Sequence, residues 1–331
     1  MPALQVRPEK IRLEASSACQ LRCPSCPTTS GAARPVVGRG FLKFDDFKAL
    51  IDANPWVRKI ELSNYGEIFV NPELAAIVAY AHGRGVHLSC DNGANLNDLD
   101  DSVAEALVRY GLQSMTCSID GASQQTYGKY RVRGSFDDVI ANIRRINHYK
   151  RVYASEFPVL TWQFVVFGHN EHEIEAARQR ALELGMGFYV KLSWDSGFSP
   201  LKNPKLVRST SGLDAVTREE FRDKHGYDYM QGICAQLWET PQINWDGKVL
   251  GCSRNFWGEF GGNAFADGLF AAINSEKLQY ARRMLQGKVP ARDDIPCTTC
   301  DIYSGRRRAA LWVGMKIHAA AGSTPDAGEN T

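Results

Sequence analysis

Between residues 10 and 194 the chain alternates apolar, strand-like runs with helical patterns, and this rhythm limits the fold more than any other feature. Six candidate strands fall at 11–15, 59–63, 86–90, 113–119, 160–167 and 188–192, with helical patterns such as 72–83, 102–110, 136–149 and 171–184 between them. Strands that alternate with helices predict a parallel sheet with right-handed crossovers. A closed eight-stranded barrel takes about 250 residues and this stretch holds roughly 190, so the expected fold is α/β, a partial (β/α)6 TIM-like barrel. Asn170 is the expected cap of the fourth of these helices, with Glu173 completing a capping box and Gly185 ending the helix. The rhythm then changes. Residues 203–217 are polar and read as loop, 243–250 reads as a hairpin around Asp246-Gly247, and 277–286 reads as a helix. The expected division is a barrel over 1–200, a small α+β hairpin and helix domain over 201–312, and a tail over 313–331 whose small, polar end from 320 is expected to be disordered.

Composition narrows the function classes. A net charge of +2, with 23% charged residues, gives no basic excess for a nucleic acid. The hydrophobic fraction of 44% is too high for a disordered chain. No run approaches the ~18 apolar residues of a membrane span, and the N-terminus lacks the apolar core of a signal peptide. A soluble, cytoplasmic protein is expected, with a small-molecule partner rather than a polymer or membrane. Such a protein would not use its nine cysteines in disulfides. Seven of them form two spaced groups, Cys19, Cys23 and Cys26, then Cys234, Cys252, Cys297 and Cys300, which points to metal.

The first group directly follows the first strand. Three thiolates within eight residues can close round a cuboidal iron–sulfur cluster and leave its fourth iron open, whereas a structural zinc would normally use two close pairs. Three cysteines at this spacing after a first strand resemble the signature of the radical S-adenosylmethionine (SAM) superfamily. The resemblance implies a [4Fe–4S] cluster whose open iron chelates SAM, reductive cleavage to a 5′-deoxyadenosyl radical, and an external one-electron reductant such as flavodoxin or ferredoxin. Further segments match in order. Asn64-Tyr65-Gly66-Glu67 resembles the Gly-Gly-Glu-Pro turn that meets the SAM amino group, although Tyr65 and Ile68 replace its first Gly and its Pro. Asp91-Asn92-Gly93 resembles the turn ending strand three. Ser118-Ile119-Asp120-Gly121 resembles the end of strand four, near the SAM ribose. Arg131 and Gly134, following Tyr127, fit the next region, where the Arg is a candidate carboxylate contact. Gly66, Glu67, Asn92, Ser118, Asp120 and Arg131 are thus the implied SAM-binding residues.

The second group resembles the twitch extension, a shortened SPASM domain, and implies a second [4Fe–4S] cluster ligated by all four cysteines; a four-thiolate structural zinc is the other reading. With no open iron, such a cluster would accept an electron. That layout is similar to the aminocyclitol dehydrogenases of antibiotic biosynthesis and implies oxidation of a carbinol to a ketone. Sugar epimerases and peptide-modifying SPASM enzymes are the alternatives.

Side-chain alternation places Arg12, Glu14, Glu61, Ser63, Ser118, Asp120 and Lys191 on the polar faces of their strands. These faces are expected to line the lumen and suit a polyhydroxylated or amine-bearing substrate. Lys191, Asp195 and Arg254 are the candidate catalytic residues, with Trp194 beside them. Cys90 and Cys117 fall on the apolar parity, where neither is expected to donate the hydrogen atom that epimerisation requires. His169-Asn-Glu-His172-Glu is expected to be a solvated cap, and Arg306-Arg-Arg308 a solvated face.

Overall fold

The computed structural model describes residues 4–314, so the terminal stretch from 320 lies outside the described residues. Six parallel strands appear in the expected places: β1 (Lys10–Leu13), β2 (Lys59–Glu61), β3 (His87–Ala94), β4 (Ser114–Ser118), β5 (Val159–Val166) and β6 (Gly187–Leu192). Each pairs in parallel with the next, with a register shift in β3 between Cys90 and Ala94. The apolar parity forms the core. Ile11, Leu13, Ile60, Leu88, Met115 and Trp162 are buried in one continuous cluster with residues of the covering helices, including Ile77, Leu107, Val139 and Ile143.

The longest helix, Phe136–Val152, begins where the Ser135 side chain accepts a hydrogen bond from the Asp138 amide. Asp137 and Asp138 in its first turn, with Lys150 and Arg151 in its last, complement the helix dipole. The expected Asn170 cap is not made. Asn170 accepts from the Phe167 amide and donates to the Asp120 and Val165 carbonyls, tying the end of β5 to the loop after β4. Glu173 likewise accepts from the Ala122 amide and from the Ser123 and Thr126 hydroxyls.

Residues 203–217 are not the expected loop. A helix spans Pro204–Ser211, with the Asn203 side chain accepting from the Leu206 amide, Pro in the first turn and Gly212 in the left-handed conformation at its end. The polar composition hid this Asn-Pro…Gly punctuation. A second helix, Arg218–His225, is capped by Thr217.

The expected hairpin is present as β7 (Gln242–Ile243) and β8 (Val249–Gly251), antiparallel to each other. Gly247 takes φ +86° in its turn and donates to the Asn244 carbonyl at 3.0 Å. β7 also pairs in parallel with β1, Arg12 opposite Gln242 and Leu13 opposite Ile243. One open sheet therefore runs in the order β6-β5-β4-β3-β2-β1-β7-β8, so the C-terminal third extends the barrel's own sheet. Among the described residues no helix is long and apolar enough to cross a membrane.

Candidate active site

Parallel register lines up polar side chains across the sheet. Gln242, Arg12, Glu61 and Ser89 are successive cross-strand partners. Arg12 donates from Nε to Gln242 at 3.1 Å, and Ser89 donates to Glu61 at 2.6 Å. Burial alone would raise Glu61, but the Arg12 charge and donors on Ser63, Ser89, Asp91 and Asn92 hold it below the ordinary carboxylate range. Farther along the sheet, on β5 and β6, the Gln163 amide oxygen accepts from the Tyr189 hydroxyl at 2.7 Å and from Lys191 Nζ at 3.1 Å. Burial and then Arg218 lower the Lys191 ammonium to about 8.

At the carboxyl end of β1 the chain enters the cysteine loop. Cys23 is buried and Cys19 and Cys26 are half-buried, beside an apolar wall of Leu21, Tyr130, Val165 and Phe167. Two donors reach the sulfurs: Asn95 Nδ2 lies 3.7 Å from Cys19 Sγ and Arg131 Nη1 lies 3.9 Å from Cys23 Sγ. Arg131 Nε is committed to Asp120 at 2.7 Å, and the other Asp120 oxygen accepts from the Val165 amide. The two residues expected to contact SAM separately therefore hold each other. Burial raises Asp120, with Arg131 opposing.

The loop after β2 closes on β1. Glu14 accepts from the Tyr65 and Gly66 amides at 2.9 and 3.1 Å, and Glu67 donates its own amide to the Ala18 carbonyl at 2.8 Å. A Cβ on Gly66 would lie 2.2 Å from the Ser16 carbonyl oxygen, so only glycine permits this approach. The Glu67 carboxylate accepts from the Asn95 amide at 2.6 Å, and burial raises it to about 7. Burial likewise raises Glu14 to about 8, and its Oε2 is buried without a partner. Asn92 is exposed, its side chain donating to Asn64 at 3.0 Å. Gly93, at φ +125°, passes so close to Ser118 that a Cβ would sit 2.4 Å from its hydroxyl.

The C-terminal cysteines converge as well. Cys234 lies in a short 3-10 turn, Cys252 directly follows β8, Cys297 lies within another turn, Pro296–Thr299, and Cys300 directly follows that turn. Burial raises Cys252 to about 12 and lifts Cys297 well above the ordinary thiol value, and each feels the charges of the other thiols, Cys234 and Cys300 among them. Arg306 departs from the solvated face expected of it. It is 5% exposed, donates to the Gln231 carbonyl at 2.5 Å and hydrogen-bonds Cys234. Arg254 forms a two-pronged pair with Asp301, 2.8 Å to each oxygen, next to Cys300.

A sequence profile described as the radical SAM superfamily matches residues 13–181, just over half of the chain. The chain belongs to the radical SAM superfamily. An AdoMet-dependent heme synthase of Methanosarcina barkeri is 28% identical over 191 residues, 57% of this chain, and the chain spans about half the length of that relative. The fold is similar to that of Streptococcus suis SuiB bound to S-adenosylmethionine, with a TM-score of 0.62 at 13% identity, covering 89% of this chain and 71% of that one. It is also similar to anSMEcpe with bound AdoMet, with a TM-score of 0.61 at 15% identity, covering 88% and 86%.

The residues of the radical SAM site fit the cofactors. Burial pushes the Cys19 thiol up to about 12, with Glu67 adding to the effect, and raises Cys23, so these two hold thiolate charge best against a cation such as cluster iron. Asn95 and Arg131 are placed to donate to those sulfurs. The unpartnered Glu14 Oε2 and the tightly apposed Gly66 loop suit a polar small molecule beside them.

Other expected residues have different surroundings. Asp195 accepts from the Ser25 hydroxyl at 2.5 Å and from the Gly197 and Phe198 amides, which ties the end of β6 to the cysteine loop. Trp194 is 44% exposed and donates to the Ser25 carbonyl. Cys90 and Cys117 are both fully buried in the main core, although the Cys90 thiol hydrogen-bonds Ser63. The 169–173 segment is no solvated cap: buried Glu171 accepts from the Lys202 and Asn203 amides, and His169 stacks on Phe167. Reading by motif did not single out Asn95, Gln163 or Arg218. The alternation on β5 was the available signal for Gln163, and Arg218 lies outside any motif.

Proposed function

We propose that this radical SAM enzyme oxidises a carbinol carbon of a small polyhydroxylated substrate to a ketone and passes an electron to an auxiliary [4Fe–4S] cluster. The observation that carries the reading is that buried Cys234 and half-buried Cys252, Cys297 and Cys300 lie within reach of one another's charge. Four thiolates would close an auxiliary cube completely and leave it electron transfer as its work. When bound, the cofactors supply a 5′-deoxyadenosyl radical that takes the carbinol hydrogen atom and an oxidant that takes the remaining electron, while the hydroxyl proton leaves to solvent.

This chain's residues hold and orient. Cys19, Cys23 and Cys26 bind the catalytic cluster. Gly66, Glu67, Asn92, Ser118 and the Asp120–Arg131 pair shape the SAM side of the lumen, and Glu14 braces the Gly66 loop. Lys191 meets the substrate from β6. Arg254, beside Cys300, orients the substrate on the auxiliary side, and Asp195 positions the cysteine loop. Tyr65 supports the link between the two centres: its hydroxyl donates to the Ser253 carbonyl at 2.9 Å, beside Cys252. A cavity of about 280 Å³ opens beside Cys19 and is lined by Arg22, Arg34 and Arg39, a cationic surface that suits an acidic reductant such as flavodoxin or ferredoxin.

The test is anaerobic reconstitution with iron and sulfide analysis. Two cubes predict about eight irons, falling to about four when Cys19, Cys23 and Cys26 are all changed to Ala. Zinc in place of iron at the second site overturns the electron-accepting role. With a deuterated polyol, label should appear in 5′-deoxyadenosine, one per ketone formed. Product inverted at one carbon and lost in Cys90→Ala, with SAM cleavage intact, would indicate epimerisation instead.

A further inference from the structure

Most cations that face the lumen, buried or half-buried, are spoken for. Arg131 pairs with Asp120, and Arg254 pairs with Asp301. Arg12 lies in the field of Glu61 and Glu14 and is hydrogen-bonded to Gln242 and the Ser63 carbonyl. Buried Arg282, away from the lumen, has no carboxylate partner among the described residues, but it donates to the Leu4, Leu237 and Ile273 carbonyls and to the Asn274 amide oxygen.

Lys191 and Arg218 differ. Among the described residues neither has a carboxylate within ion-pair distance. Lys191 spends one donor on Gln163. Arg218 reaches only the Leu192 carbonyl, at 3.3 and 3.4 Å, and stacks over the Tyr229 ring at 5.1 Å. Leu192 follows Lys191 on β6, so both cations converge on the carboxyl end of one strand, where barrel sites gather their ligands. The charges that face them do not cancel them. Lys191 feels Arg218, Asp120, Arg131 and Arg12, and its one acid, Asp120, is held by Arg131. Arg218 feels Tyr229, Asp228, Arg254 and Asp301. Asp301 is held by Arg254, and Asp228 turns an oxygen to the Met230 amide. Two half-buried cations within reach of each other's charge are costly unless an anion completes them.

We infer that Lys191 and Arg218 form a subsite for an anionic group of the substrate, a carboxylate or a phosphate, at the carboxyl end of β6. The inference deepens the proposed function by making the substrate an acid, such as a polyol phosphate or sugar acid, rather than the amine-bearing compound that the polar lumen alone allows. Arg supplies a planar fork of donors and Lys a mobile point charge, a combination that holds either anion.

The test is calorimetric titration of the SAM- and cluster-loaded enzyme with four probes: myo-inositol 1-phosphate, glucuronate, neutral myo-inositol and cationic glucosamine. The phosphate or the carboxylate probe should bind about tenfold or more tightly than the neutral one, and the preferred arm tells which anion the site takes. Lys191→Met and Arg218→Met should each remove most of that preference, and Arg218→Lys should restore part of it, at unchanged iron content. Neutral or cationic probes that bind as well as the anions overturn the inference. So does an anion preference that survives both Met variants. An equal loss of affinity for SAM itself would assign the two cations to the cofactor and also overturn it. Because binding is read without turnover, an anion preference with no ketone product would sink the proposed oxidation and leave the subsite standing.

Discussion

Glu14 shows how one carboxyl can brace a loop and report on pH. Its pKa of about 8, against an ordinary 4.5, means that the folded protein keeps a proton which the unfolded chain releases within that interval. The folded state binds more protons there, so stability falls as pH rises from about 4.5 to about 8, by on the order of 5 kcal/mol at most. Glu14→Gln should flatten that fall, read as the thermal midpoint of the anaerobic cluster-loaded enzyme across this range; an unchanged slope would refute the assignment. Gly66 offers a sharper test. A methyl group there meets backbone and not a flexible side chain, so Gly66→Ala must displace the 64–67 loop. The expected result is a loss of about tenfold or more in SAM affinity with the iron content retained. Wild-type affinity would show that the loop is not held by that contact.

The elements differ in how far they could be read in advance. The six parallel strands were legible because each alternates apolar and polar residues and lies between helical patterns, and the hairpin was legible from Asp246-Gly247. The pairing of β7 with β1 was not: β7 is two residues long and its partner lies more than two hundred residues away. The helices Pro204–Ser211 and Arg218–His225 were hidden by polarity, and with them Arg218. The cysteine spacing picked out the candidate ligands but not the side chains beside them. Arg306 sits in a triplet of arginines that looks solvated, yet it alone of the three turns inward to Cys234. A cation and donor at a cluster sulfur favours the reduced, more negative state. Arg306→Met should therefore lower the midpoint potential of the proposed auxiliary cluster, measured by redox titration, at an unchanged iron count. An unmoved potential would leave Arg306 a purely structural residue, bonded to the Gln231 and Leu311 carbonyls.

At the scale of the molecule, one open sheet carries both groups of cysteines. β1 leads into the first group and β8 into Cys252, with only β7 between the two strands. The hairpin also grips the segment after the cysteine loop, since Asn244 and Trp245 both donate to the Val37 carbonyl at 2.9 Å. A chain cut after residue 200 would lose β7 and leave one edge of β1 bare, beside an exposed cysteine loop. It should be aggregated or incompetent to assemble its cluster, as seen by size-exclusion chromatography and iron analysis, and a monomeric, iron-loaded fragment would contradict this. The same pairing sets an order in time. β1 leaves the ribosome well before its second neighbour, which is made some 230 residues later (Arg12 to Gln242). At ~5–20 residues per second the newborn barrel waits roughly ten to fifty seconds with that flank uncovered. Any iron delivered to the growing chain in that interval meets a loop whose far support has yet to be synthesised.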